Sequence, residues 1–231
     1  MRFTPETVLS YLDDVRDRVV LMQNPVLPMP RYGVLPSLQP GERRYVVAED
    51  GVYVQARTHA LSVCARIAST PPLPFGSLTP RVELSGGLLP RSFFTRMCAE
   101  ALAESPNEWA ALVHWDTGYQ RYIWTATEAR HRSAYRVAYD SAARDESCLV
   151  IDAHSHGVAP PSFSTLDDAS DRYGLYFACV LGYCVSPDSI RVETRLVIDD
   201  LRIPLAWHPW EDEPTSIAGS ARSAKLEDNP G

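Results

Sequence analysis

CLVIDAHSHGVAPPSFSTLDDASDRYG, residues 148–174, reads as a buried strand that runs out into a turn crowded with imidazoles and carboxylates. Leu149, Val150 and Ile151 form the apolar run, and Asp152, His154 and His156 follow at alternate positions. Side chains two apart on a strand point to the same face. His154 and His156 therefore project together, close enough for both rings to meet one metal ion. Catalytic zinc takes three protein ligands and leaves the fourth position to water. Asp167, eleven residues beyond His156, can be the third if the chain turns back through Pro160-Pro161 and a helix opens near Ser164. That helix carries Asp167 round beside Ser164, one turn on, with the serine hydroxyl facing the open position. An H-x-H pair alone occurs in many strands that hold no metal. Here it ends an apolar strand, where uncharged imidazoles need polar partners.

Three other acids compete for the third place. Asp171 lies four beyond Asp167 and can share its helical face. Asp168 points a quarter-turn away, as a solvated or capping acid. Asp152 shares a strand face with both histidines and reads as a partner standing behind them.

Upstream, PRSFFTRMCAEALAES (90–105) is an amphipathic helix opened by Pro90, with Phe93, Phe94, Met97, Cys98 and Leu102 on one face. Pro106 ends it, and Glu108 stands at the mouth of the apolar strand WAALVHWD. YQRYIWTATEA alternates as its partner. Residues 131–146 are polar and arginine-rich, which predicts a loop with helical content. TLDDASDRYG begins a short helix, and LYFACVLGYCV and IRVETRLVID read as two further strands. This order predicts an α/β (α+β) domain over 86–210, a mixed sheet flanked by helices.

Residues 1–85 form a separate module of helix plus β-hairpin. Thr4 caps the helix, with Pro5 and Glu6 in its first turn, and apolar residues recur at helical spacing to Met22. RYVVAEDGVYVQART (44–58) is the hairpin, turning at Glu49-Asp50-Gly51. Prolines and glycines from Thr70 to Gly87 mark a soft boundary. Residues 211–231 are polar and small, a composition that predicts a disordered tail.

The chain has 231 residues, a net charge of −7 and no basic stripe, which argues against nucleic-acid binding. It lacks an apolar run long enough to span a bilayer and a signal peptide at its N-terminus, so no membrane association and a cytoplasmic location are expected. Five cysteines without a CxxC pair read as reduced and mostly buried thiols.

The pattern H-x-H, seven residues, S-x-x-D in HSHGVAPPSFSTLD resembles the zinc signature of the JAMM (MPN-plus, JAB-like) metallopeptidases. That family also carries a glutamate where a helix meets the next strand, as in ALAESPNEWAALV. The resemblance covers about residues 88–205, and in overall layout is closest to the branch found in bacterial PRTRC gene cassettes. It implies a JAB/MPN-like, cytidine-deaminase-like fold with one zinc ion on His154, His156 and Asp167. It further implies Glu108 as general base and Ser164 as oxyanion partner. Members often place proline directly after the second histidine, where this chain has Gly157. The implied activity is hydrolysis of a peptide or isopeptide bond, deubiquitinase-like, on a ubiquitin-like protein or its conjugate. The N-terminal module is expected either to dock a substrate or protein partner or to cover a sheet edge. Trp109, next to Glu108, is a candidate to line the substrate channel.

Other readings fit less well. Asp152-x-His154-x-His156 also suits the first strand of a barrel amidohydrolase, but only 75 residues follow it, against the roughly 250 of a whole barrel. A zinc deaminase needs a PCxxC pair, and a serine hydrolase of the α/β type needs a G-x-S-x-G elbow. A catalytically silent MPN-type scaffold remains the alternative, although such scaffolds lose ligands that this chain keeps.

Overall fold

A computed structural model describes residues 14–127, 129–133, 136–139 and 144–210, with the side chains of 126, 129–133 and 136–139 left aside. Within them the chain divides into two compact units. One comprises residues up to Arg57 together with Val63–Val82, and the other Thr58–Ser62 with residues from Glu83 onward.

The first unit opens with helix α1 (Val15–Gln23), capped by Asp14, whose carboxylate accepts from the Arg16 amide. Asp14 is extended, with φ −78° and ψ 126°, so the described helix begins there and does not run through from Thr4. The predicted cap at Thr4, Pro5 and Glu6 lies outside the described residues. Then come β1 (Val26–Pro28), β2 (Arg43–Ala48), β3 (Gly51–Arg57), β4 (Leu61–Ser69) and β5 (Arg81–Leu84), paired in that order in one sheet. The hairpin is present, with Ala48 opposite Gly51. It is the centre of a five-stranded sheet, not a free-standing ribbon. A hairpin alone is marginal in water and needs further strands or packing on one face. Val46, Ala48, Tyr53 and Cys64 form that buried face, covered by Met29, Leu35 and Leu78.

The second unit is built on a six-stranded mixed sheet. Its elements are α2 (Arg91–Glu104), β6 (Ala110–Asp116), β7 (Arg121–Ala126), β8 (Ala129–Ser133), β9 (Arg136–Tyr139), β10 (Leu149–Ser155), α3 (Thr165–Ser170), β11 (Leu175–Gly182), β12 (Arg191–Ile198) and β13 (Leu201–Pro204). The sheet order is β13-β12-β11-β10-β6-β7, and β8 pairs with β9 as a separate ribbon. The predicted loop with helical content at 131–146 is thus corrected to strand pairing at residues 131–133 and 136–139. A two-stranded ribbon closes its backbone bonds without an apolar face, so the polar composition gave no periodic signal.

Strands β10 and β11 are parallel, and all other pairings in the main sheet are antiparallel. A parallel pair needs a crossover, and here residues 156–174 with α3 supply it. β11 is buried along its whole length, as its unbroken apolar run requires. Leu112, Leu149, Tyr176, Ala178 and Val197 pack into one cluster, with Phe163 laid against it. No helix among the described residues is long and apolar enough to cross a membrane.

Candidate metal centre

Two neighbouring strands and one short helix assemble the site. His154 is the penultimate residue of β10, and His156 follows the strand, its amide donating to the Leu181 carbonyl at the end of β11. The chain then passes Gly157, whose φ is +53° and whose place leaves no room for a side chain: a Cβ there would lie 2.4 Å from the Pro106 carbonyl oxygen. Proline, fixed near φ −65°, cannot take that backbone conformation. The departure from the family pattern at this position therefore has a local steric cause. Gly182 serves the same loop from below, because a Cβ on it would meet the Pro161 nitrogen at 2.3 Å. The Pro160-Pro161 segment lies directly on the end of β11 and delivers Ser164 to the start of α3.

Ser164 and Asp167 close a capping box. The Asp167 amide donates to Ser164 Oγ at 3.2 Å, and Asp167 Oδ2 accepts from the Ser164 amide at 2.6 Å and from its hydroxyl at 2.7 Å. Two donors on Oδ2 leave Oδ1 turned to His154. Asp167 Oδ1 lies 3.0 Å from His154 Nε2, Asp167 Oδ2 lies 3.5 Å from His156 Nε2, and the two imidazole Nε2 atoms are 3.2 Å apart. These three residues are the one group of three or more metal-type side chains found among the described residues.

The donor set fits zinc on its chemistry and its spacing. Ligands roughly 2.0–2.1 Å from a tetrahedral zinc lie about 3.3 Å from each other. The three separations in the chain bracket that value. His156 Nδ1 donates to the Pro160 carbonyl at 3.3 Å, an arrangement that leaves the lone pair on Nε2, the nitrogen aimed at the cluster.

Electrostatics agree. Burial alone would raise the Asp167 carboxyl, yet donation by His154 and His156 and by Ser164 holds it far below the ordinary carboxylate range. The hydrogen bond to Asp167, with smaller help from the charges of Asp167 and Glu108, raises His156 above its usual value against the effect of burial.

Glu108 precedes β6, 8% exposed. In the β10–β6 ladder His154 faces Ala110. One step on, the Ser155 amide donates to the Trp109 carbonyl at 2.8 Å, and the Trp109 amide donates to Ser155 Oγ at 3.0 Å. Glu108 is therefore the residue across from His156. Ser155, wholly buried between the two histidines, ties the glutamate's segment to theirs. Its position on the strand between two outward-facing histidines already aims Ser155 inward. Trp109 does not line a channel. It is buried, its indole donating to Glu100 at 3.1 Å and stacking on Trp124.

The three rival acids have other partners. Asp168 and Asp171 both accept from Arg195, and Asp152 accepts from Arg144 at 2.8 Å. Asp167 alone of these four faces the imidazoles.

A mixed-sheet domain that gathers two imidazoles and a carboxylate beside a buried glutamate defines a class, and family comparison points the same way. Residues 90–196 match the model of the prokaryotic homologs of the JAB domain, and residues 14–85 match a domain of unknown function, DUF2016. The greater part of the second unit is thus similar to the JAB domain, and a different family model matches the residues ahead of it. No curated protein matches the chain.

Proposed function

We propose that the protein is a JAMM-type zinc hydrolase that cleaves a peptide or isopeptide bond, processing or removing a ubiquitin-like protein. The convergence of His154, His156 and Asp167 at zinc-ligand spacing, with Glu108 across the strand pair, carries this reading.

A bound zinc ion would supply a Lewis acid and lower the pKa of the water it holds to roughly 7. Glu108, poised beside His156, takes the proton of the attacking water and returns it to the leaving amine as the C–N bond breaks. Ser164 has one hydroxyl proton, and it lies on Asp167 Oδ2. Its first role is to hold that ligand; turned outward, the same proton can meet the oxygen of the attacked carbonyl. An extended tail can reach the site by adding a strand to a sheet edge. The N-terminal DUF2016 domain is the place for a protein partner, and the five free thiols suit a reducing, cytoplasmic setting. The layout resemblance to PRTRC cassettes directs the substrate search to ubiquitin-like proteins encoded beside the gene.

The test is Glu108→Gln, assayed for zinc content and for cleavage of those proteins. Retained zinc with hydrolysis reduced by about 10²–10⁴-fold is expected. Cleavage at near the full rate removes Glu108 from its role. Wild-type protein that binds the modifiers but cleaves none favours the scaffold alternative.

A further inference from the structure

α3 presents a physical problem. It has six residues and none of them is buried. Helices this short do not persist on their own, and they are normally held by an apolar face. Yet α3 carries Asp167, and Ser164 is its cap.

We propose that Arg195 is the positioning residue of the metal centre, clamping α3 from behind so that Asp167 stands at ligand distance from the imidazoles. Arg195 lies on β12 and is 6% exposed. Its Nε and Nη2 donate to Asp171 Oδ2 at 2.9 and 2.6 Å, and its Nη1 donates to Asp168 Oδ1. Its guanidinium carbon sits 3.8 Å from the centroid of the Phe163 ring. Phe163 immediately precedes Ser164, and Asp168 immediately follows Asp167. One side chain therefore grips the segment on both sides of the two residues that face the site. Only a planar fork that also stacks on a ring makes all these contacts at once; a lysine makes one of them at a time. Tyr176, whose hydroxyl donates to Asp171 at 3.3 Å, completes the buried anchor.

The inference rests on the reading of His154, His156 and Asp167 as zinc ligands. Groups that orient metal ligands are worth roughly 10–100-fold in metal affinity. Zinc dissociation constants for wild type, Arg195→Lys and Phe163→Leu, measured against a chromophoric chelator, test it. The melting of each metal-free form and the visible absorption of each cobalt-loaded form are recorded alongside. Arg195→Lys should bind zinc about 10–100-fold more weakly and lose cobalt absorption intensity, while its metal-free form still melts cooperatively. Phe163→Leu should fall between the two. A folded Arg195→Lys with affinity within about twofold of wild type and an unchanged cobalt spectrum overturns the clamp. If Arg195→Lys does not fold, Phe163→Leu decides by the same readings, since it keeps the ion pair. Wild-type protein that takes up no zinc overturns the metal reading itself and the clamp with it; tight wild-type binding matched by both variants overturns the clamp alone.

Discussion

Asp167 and Asp171 are the same residue type, four positions apart on one short segment, and the fold gives them opposite company. Asp171 is buried against a guanidinium that donates twice to one of its oxygens. Asp167 is enclosed by two imidazoles and the Ser164 hydroxyl, with no arginine or lysine at ion-pair distance among the described residues. A buried carboxylate must be neutralised, because an isolated charge away from water is costly. The protein neutralises Asp171 with a cation built into the chain, and Asp167 with groups that can be neutral and can share an exchangeable one. The first solution makes a strut, and the second is what the proposed metal site requires.

Exchanging the two acids for their amides should separate these roles. Asp167→Asn is expected to weaken zinc by more than the roughly 100-fold upper range of supporting partners, because it exchanges the anionic carboxylate of a proposed ligand for a neutral amide. Its metal-free fold should survive. Asp171→Asn should still bind about one zinc per chain, more weakly, and should lose about 3 kcal/mol of stability, the penalty for leaving Arg195 buried and short of its partner. Zinc analysis and urea unfolding of the two variants measure both effects. Loss of zinc from Asp171→Asn together with its retention in Asp167→Asn would reverse the assignment.

The division between the two acids was only half legible beforehand. The ligand pattern is local: alternation on β10, the Pro160-Pro161 turn and the capping spacing from Ser164 to Asp167 are all read within one stretch. What excludes Asp171 and Asp168 is Arg195, 24 residues or more away along the chain, and no local period connects them. The same limit explains the first unit. Its hairpin is local and legible in the sequence, whereas β1 is three residues long, ends in a proline and pairs in parallel with β2. Its strand character comes from its neighbour. β4 does carry a local signal, since Leu61, Val63 and Ile67 alternate with Ser62 and Arg66. Ser155 shows a third kind of gap, since it matters through a hydrogen bond to the Trp109 amide and not through its own reactivity.

Acidity should act on the two acids differently. His156 sits above its usual pKa in the metal-free protein, so its contribution to stability is full below about pH 6.5 and fades as pH rises through the raised value. The depressed Asp167 contributes above its unfolded pKa near 4 and loses that contribution only in strong acid. The metal-free protein should thus gain most from this site between about pH 4 and 6.5 and melt a few degrees lower at pH 8. Zinc binding follows the opposite course, because it requires the imidazoles neutral, and its affinity should climb over the same rise in pH. Melting curves with and without zinc from pH 5.5 to 8.5 would reveal the crossing trends. Parallel trends would mean that His156 is not a ligand.

The smallest expected effect concerns Arg202, which holds the strut side of α3 without reaching an acid tightly. Its Nη1 donates to the carbonyls of Asp168 and Asp171 at 3.1 and 3.2 Å, groups that the end of a helix leaves without partners. Its side chain remains 29% exposed, so water can replace these bonds when they are lost. Arg202→Met keeps the apolar stem and should cost about 1 kcal/mol or less in urea unfolding, with zinc affinity changed by less than about threefold. Arg195 has no such substitute, because its partners are charged and its own side chain is only 7% exposed. An Arg202→Met protein that loses zinc as severely as Arg195→Lys would show that the helix is held by distributed backbone contacts. The buried guanidinium would then be one strut among several.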